Sequence, residues 1–556
     1  MQLHQGCYRA IKNRMTKMNI KIDDAVESIV TTINNLIKQG KPEFAQFESA
    51  KLVAKYPANV MALCVMSYTL YVSNDLKNSL RYAHLAYAQI NAESSWKDII
   101  SASNALLMIN ETEEAIRVLD NLDLASITDV DTLSYIARHY GNLDLVEMTA
   151  KTFDRISSES LDFHSRQMYG VALLYLGKFK EAKEQFLKAL ELNPADGVSY
   201  NQLSVLKDSD AREVRILKMH EALKGRNLDS TNSSYIHFSL FNEYDADNNL
   251  ENAWKHLKQA NSIRRAVVHY DAAHDNQACQ KLIQTYSKLL PNVSSGIAED
   301  VIPIFIVGLP RTGTTLLEKM LSSFRGVKAC GELRTFRREL ELAVNSNFLN
   351  AFGFGFCADH LDIDYEKIGR EYLRKNHWRL NGQKFMVDKE PSNFIYAGFI
   401  ARAMPNARII HIKRNPMDAC FSNYKQFFST SSFTYSYDLS ELAEHYKLYS
   451  KMMRFWKEQI PDSLLEISYE RLVSNPDCHA EKLRKFCGFD PKQSSETLNN
   501  NYITSTLSAA QVRAPIHNKN INAWQRYKVQ LTPLYDSLQE YIVDYEKELS
   551  AELKNV

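Results

Sequence analysis

The 556-residue chain lacks three things that would each point to a function class. Its first twenty residues, Met1 to Ile20, carry scattered Lys and Arg but no apolar core. That excludes a secretory signal or a membrane anchor there. The chain has no excess of either charge sign: the net charge is +1, with 24% charged residues. That excludes a bulk nucleic-acid binder and an acidic tail, so any anion must be held by local basic loops. The eight cysteines, at 7, 64, 279, 330, 357, 420, 478 and 487, include no pair at zinc or thioredoxin spacing. Several read as small buried hydrophobes, and the pattern favours a reducing compartment. The expectation is a cytoplasmic protein with no membrane and no nucleic-acid partner. It is long enough for two or more domains with large cores.

Residues from about Asp23 onward form amphipathic helices with short breaks. Turn signals at Gly40, Asn74, Asn110, Gly141 and Gly177 are 34, 36, 31 and 36 residues apart, and Asn248 follows two periods later. A period near 34 residues is that of helical-hairpin solenoids. The clearest copy runs from Phe163 to Gly197, with Tyr169, Gly170, Leu173, Gly177, Phe179, Ala182, Phe186, Ala189 and Pro194 at alternating small and large packing positions. The pattern resembles tetratricopeptide (TPR) repeats. Such an array offers a concave surface for a peptide or protein and carries no chemistry of its own.

The second half holds the chemistry. From Ile304 to Leu317 an apolar strand runs into a glycine-bracketed loop and then an apolar helix. Backbone N–H groups and a helix N-terminus then face one point, which suits a phosphate. Gly308-x4-Gly313 has P-loop spacing, but Thr314 stands where a nucleoside-triphosphate site needs lysine. The cation lies inside the loop instead, as Arg311. A second strand ends in Lys413-Arg414-Asn415-Pro416, with Asp418 and Ser422 in the helix that Pro416 starts. A guanidinium meets a phosphate dianion with two parallel bonds, and a serine on the same helix face adds a neutral donor. A third strand, Phe385 to Asp388, leads into Lys389-Glu390-Pro391-Ser392-Asn393.

The segment Pro310 to Thr315 resembles the 5′-phosphate loop of sulfotransferases that use 3′-phosphoadenosine 5′-phosphosulfate (PAPS). Arg414 to Ser422 resembles their 3′-phosphate element, and Asp388 to Asn393 their Asp-Lys-x-Pro-x-Asn element. Tyr469-Glu470-x-Leu472 resembles a late family element near the nucleotide. Ser508 to Trp524 resembles the closing loop of tyrosylprotein sulfotransferases, although Ala523 replaces a lysine there, so that contact is absent or supplied by Lys519 or Arg513. The resemblance implies that Pro310, Arg311, Thr312, Gly313, Thr314, Thr315, Arg414, Ser422, Tyr469 and Ser508 hold the cofactor. Lys389 and Arg311 would stabilise the leaving phosphate, with adenosine 3′,5′-bisphosphate as product and no metal required.

A proton acceptor is needed as the acceptor hydroxyl attacks sulfur. Glu332, in Cys330-Gly331-Glu332-Leu333-Arg334, is the candidate base; the related enzymes place theirs one residue later, where this chain has Leu333. A histidine base stays open: His411 reads as a core residue, and His445 and His517 stand in no motif. Arg334 and Asn393 are candidate acceptor contacts. The fold expected is an N-terminal TPR-like solenoid over residues 23–285, preceded by a segment 1–22, followed by a linker 286–300 and an α/β domain 301–556 with a central parallel sheet. The function expected is sulfonate transfer to a hydroxyl, with protein tyrosine as first acceptor, bound by the repeats. A glycan or small alcohol is the runner-up, and the reading allows a homodimer. A P-loop kinase or NTPase, whose Mg²⁺ would sit at Asp388, and an inactive repeat scaffold are the competing readings.

Overall fold

A computed structural model of the chain describes residues 25–206, 211–225, 228–289, 300–348, 352, 363–428, 431–490 and 518–554. Two compact units emerge: residues 1–127 with 338–347, and residues 128–337 with 348–556.

The first unit is built of helices, including Pro42–Lys55, Val60–Val72, Leu76–Tyr87 and Trp96–Met108. Asn59, Asp75 and Ser95 start three of them by accepting a first-turn backbone N–H, as good N-caps do. The inserted segment 338–347 docks on the turn at Asn74. There Asn345 accepts from the Lys77 N–H at 2.9 Å, and Arg338 reaches the Tyr71 hydroxyl at 3.2 Å.

Left-handed residues mark the hairpin turns in both units: Gly40, Asn74, Asn110, Asp144, Gly177, Ala211 and Asn248. They fall 34, 36, 34, 33, 34 and 37 residues apart, closer to one period than the sequence suggested. Two positions differ from expectation. Gly141 lies inside the helix Val130–Asn142, and the turn is made by Asp144. Ala211 makes the turn in the interval that had no visible signal. Gly170 serves close packing: a Cβ there would sit 2.7 Å from the Phe186 ring of the neighbouring helix Phe179–Leu192.

The second unit contains the later hairpins and the sheet. Five strands, β1 (Ile302–Val307), β2 (Val327–Ala329), β3 (Phe385–Asp388), β4 (Arg408–Lys413) and β5 (Leu464–Ser468), pair in parallel in the order β2-β3-β1-β4-β5. β3 is buried throughout, β1 after its first residue and β4 along its four middle residues, because both faces of a parallel sheet are covered. One face packs Ile304, Ile306, Val387, Ile410 and Ile412 against Leu317, Leu321 and Leu483. The order reverses direction at β1, so a crevice opens between the carboxyl ends of β1 and β4, where open α/β sheets bind ligands.

The last repeat helices are part of this unit's core. Asn261, on the helix Leu250–Val267, donates to the Tyr424 carbonyl at 3.0 Å. Arg265 grips Glu441 through Nε at 2.8 Å and Nη2 at 2.6 Å. Tyr235 stacks on Phe427 at 3.7 Å, and Tyr286 packs edge-on to Trp456 at 4.8 Å.

Candidate active site

Every strand delivers a candidate residue at its carboxyl end. β1 leads into the loop Gly308–Gly313, β2 into Gly331-Glu332, β3 into Lys389, β4 into Arg414 and β5 into Tyr469. The sheet therefore gathers segments that lie up to about 160 residues apart in the chain.

The loop after β1 is held from several sides. The Gly308 N–H donates to the Pro391 carbonyl at 3.1 Å. Asn423 donates to the Pro310 carbonyl at 2.9 Å, and Thr312 Oγ1 to the Leu309 carbonyl at 2.8 Å. Arg311 and Gly313 both have positive φ, +67° and +103°. Gly313 could not be another residue: a Cβ would lie 2.5 Å from the Tyr469 ring. The helix Thr314–Leu321 starts directly after it, with Thr314 and Thr315 buried in its first turn. Its N-terminal N–H groups have no capping side chain from Gly313, which suits a bound anion.

Arg414 is the hub of the other half. It donates to the Arg311 carbonyl at 3.1 Å, to Ser422 Oγ at 3.3 Å and to the Asn520 carbonyl. Its guanidinium lies 4.8 Å above the Tyr469 ring and 3.8 Å from Asp418. Arg311, Arg414, Ser422 and Tyr469 thus meet at one place. Tyr469 is 7% exposed and its ring packs against Gly313 of the loop. Lys425, which no motif marked, joins this cluster. Burial lowers its pKa to about 8; Asp245 pulls the other way, while Arg414 and Arg311 add to the lowering. Burial, then Arg414, also lowers Arg311 to about 10. These cations share the nearby carboxylates of Asp418 and Asp245, and an incoming dianion would add counter-charge.

The β2 and β3 ends form a second cluster. Lys389 is buried and ion-pairs with Glu332, whose side chain is 47% exposed. Burial opposes the lysine's charge, but the carboxylates of Glu332, Glu318 and Glu390 outweigh it and raise its pKa. Burial, followed by Glu332, raises the Glu390 pKa. Glu318, also unmarked in the sequence, accepts from the Gly331 N–H at 3.0 Å and so fixes the turn that carries Glu332. Asp388 is fully buried. It accepts from the Leu333 and Glu390 N–H groups at 3.3 and 3.1 Å, from the Tyr372 hydroxyl at 2.8 Å and from Asn393 at 3.3 Å. Burial pushes its pKa well up, and both its oxygens are engaged by the protein. Asn393 therefore turns inward to Asp388, away from an acceptor, while Arg334 is exposed.

Of the histidines, His411 is satisfied in the core by Glu466 at 3.1 Å and by the Tyr449 hydroxyl. His445 is buried, stacked on Tyr435 at 3.5 Å, and its pKa falls to about 3 through burial. Ser508, Arg513 and His517 lie outside the described residues. Lys519 is exposed, and Trp524 is buried in the segment that docks on Asp418. Among the described residues no cluster of three or more His, Cys, Asp or Glu has metal-binding geometry.

Residues 303–493 match the model of the Sulfotransferase family. An uncharacterized protein of Aquifex aeolicus is 26% identical over 376 residues, covering 66% of this chain and 49% of its own. The chain thus spans about half the length of that relative. A Caenorhabditis briggsae protein named "Putative protein-tyrosine sulfotransferase" is 22% identical over 231 residues, 40% of this chain and 80% of its own. Among solved structures, the sulfotransferase domain of the Synechococcus PCC 7002 olefin synthase is 21% identical, covers 42% of this chain and 90% of its own, and has a TM-score of 0.29. Sulfotransferase STF9 of Mycobacterium avium is 12% identical, with coverages of 60% and 96% and a TM-score of 0.28.

Proposed function

We propose that this chain, which carries a sulfotransferase-family domain over residues 303–493, moves a sulfonate group from PAPS to an acceptor hydroxyl. The observation that carries the reading is the cation cluster of Arg311, Arg414 and Lys425, with Ser422 hydrogen-bonded to Arg414, beside a loop with no lysine at its end. That arrangement suits a nucleotide with separate 5′- and 3′-phosphates better than a triphosphate on Mg²⁺.

The donor, when bound, supplies an electrophilic sulfonate and a phosphate leaving group. The loop N–H groups, Thr314, Thr315 and Arg311 hold the 5′-phosphate. Arg414, Ser422 and Lys425 hold the 3′-phosphate. Lys389 places its ammonium where charge grows on the leaving oxygen, a use suited to a compact point charge. Glu332, beside it and half-exposed, takes the proton of the acceptor hydroxyl as that oxygen bonds to sulfur. A protein tyrosine is the first acceptor, with the repeats binding the flanking peptide; a glycan or small alcohol is second. No helix among the described residues is long and apolar enough to cross a membrane, and a cytoplasmic location belongs to this proposal.

The test is calorimetry with adenosine 3′,5′-bisphosphate in EDTA against ATP with Mg²⁺. Metal-independent binding of the bisphosphate is expected. Binding of ATP alone, and only with Mg²⁺, would overturn the reading.

A further inference from the structure

Asp245 belongs to a repeat helix, yet it faces the cation cluster. It sits in the last turn of the helix Ser230–Ala246, where a negative charge opposes the helix dipole. An acid at that place needs an offsetting partner, and the structure supplies several. Arg526 Nη1 donates to Asp245 Oδ1 at 2.7 Å, and Nη2 to the Asp245 carbonyl at 3.0 Å and to Asn248 Oδ1 at 3.1 Å. The Tyr527 hydroxyl donates to the same Oδ1 at 2.7 Å. The Tyr527 ring lies among Phe241 and Trp254 of the repeat helices and Phe421 of the helix that bears Ser422, at 5.2 to 6.1 Å.

The other end of the same short segment holds the 3′-phosphate residues. The Asn522 and Trp524 N–H groups donate to Asp418 at 2.6 and 3.1 Å, and the Asn520 carbonyl accepts from Arg414. Residues 520–527 are therefore a strap. One end is fastened to the repeat helix at Asp245, and the other fixes Arg414 and Asp418.

We infer that Asp245 is a positioning residue for the donor nucleotide: by fastening the strap it sets the Arg414 guanidinium against the 3′-phosphate. The inference rests on the sulfotransferase reading of the site. It also assigns the last repeat helices a part in donor binding, so an occupant of the repeats could change donor affinity through this strap.

The sign of the effect separates positioning from simple charge. Asp245 is an anion near an anion site, so removing its charge should by Coulomb's law tighten binding of a dianion. Loss of positioning weakens it. Because Asp245 also favours the charged form of Lys425, the experiment is run at pH 6.5, well below that lysine's pKa of about 8, and at fixed ionic strength. It measures affinities for adenosine 3′,5′-bisphosphate and adenosine 5′-phosphate in the full chain, for Asp245→Asn, Arg526→Gln and the double variant. Each single variant should lose about 3- to 10-fold in bisphosphate affinity, as coupling residues do, with the monophosphate within about two-fold. The double variant should be no worse than the weaker single one, because both act through one strap. Arg526 is 40% exposed, so its variant keeps the test open if Asp245→Asn fails to fold. Unchanged or tighter bisphosphate binding, an equal loss for both nucleotides, or additive losses would overturn the inference. A parent protein that does not prefer the bisphosphate at all would instead refute the donor site on which it rests.

Discussion

Replacing Glu332 with Gln should lower turnover far more than it lowers stability. The side chain makes one ionic contact, to Lys389, which is 1% exposed while Glu332 is 47% exposed. Glutamine keeps the shape and an accepting oxygen. The change is from a charge-assisted bond to a neutral one, about 1 kcal/mol, and less after screening by water at the exposed carboxylate. For a unit of this size that shifts Tm by about 2 °C or less. Loss of a general base costs roughly 10²–10⁴ in rate, or about 3–5 kcal/mol of barrier. The kinetic effect therefore exceeds the structural one several-fold. Removing a negative charge beside Lys389 should also leave bisphosphate affinity equal or slightly higher. The assay is turnover at saturating donor and acceptor, with melting and calorimetry on the same sample. Near-parental turnover would show that Glu332 is only a counter-ion for Lys389. A fall in turnover matched by an equal fall in bisphosphate affinity would show that it holds the donor site together.

Other outcomes follow from the same geometry. Gly313→Ala places a Cβ 2.5 Å from the Tyr469 ring at φ +103°; it should cost about 1–2 kcal/mol for the backbone and ~1–3 for overpacking, and weaken bisphosphate binding at least ~10-fold, so parental melting and affinity would refute the packing argument. Lys425, with a pKa of about 8, is charged below that pH and neutral above it. Bisphosphate affinity should therefore fall as pH rises through about 8, by roughly ten-fold for one charged contact, and Lys425→Met should flatten the profile. His139 has a pKa lowered to about 4 by burial. It is neutral in the folded state and takes up a proton on unfolding below pH 6.5, so its contribution is complete above pH 6.5 and lost as pH falls toward 4, about 3 kcal/mol in all; a pH series of urea melts with His139→Gln checks this. A chain starting at residue 301 loses the Asn261, Arg265 and Tyr286 contacts, and should be insoluble or melt far below the parent.

The parts of the site that were legible in the sequence share one property: they are local. β1 is an apolar run that stops at a glycine, β3 and β4 are largely apolar runs that stop at a charge, β5 leads straight into the Tyr469 motif, and Gly308, Gly313, Asn415 and Pro416 punctuate the turns. β2 escaped because it is three residues long and one of them, Lys328, is exposed. The turn at Asp144 escaped because Gly141 three residues earlier is the stronger breaker on propensity alone, yet it packs inside a helix. Lys425 and Glu318 escaped for a different reason. Their importance comes from what tertiary packing brings near them, the Arg311–Arg414 pair and the Gly331 N–H, and neither neighbour is close in sequence. Asp388 looked like a possible metal ligand because an acid ends a buried strand; the structure spends it on four protein donors instead. The strap from Asp245 to Arg414 joins residues 104 to 282 apart, so no pattern in the chain could have shown it.

The most direct test of the central claim is transfer of labelled sulfonate. Incubate the purified full chain with sulfur-labelled PAPS in EDTA, together with tyrosine-containing peptides in one arm and glycans and small alcohols in another. The account predicts label on an acceptor hydroxyl and release of one adenosine 3′,5′-bisphosphate per sulfonate moved, both lost in Lys389→Met. No label on any acceptor, together with phosphate transfer from ATP that requires Mg²⁺, would contradict it.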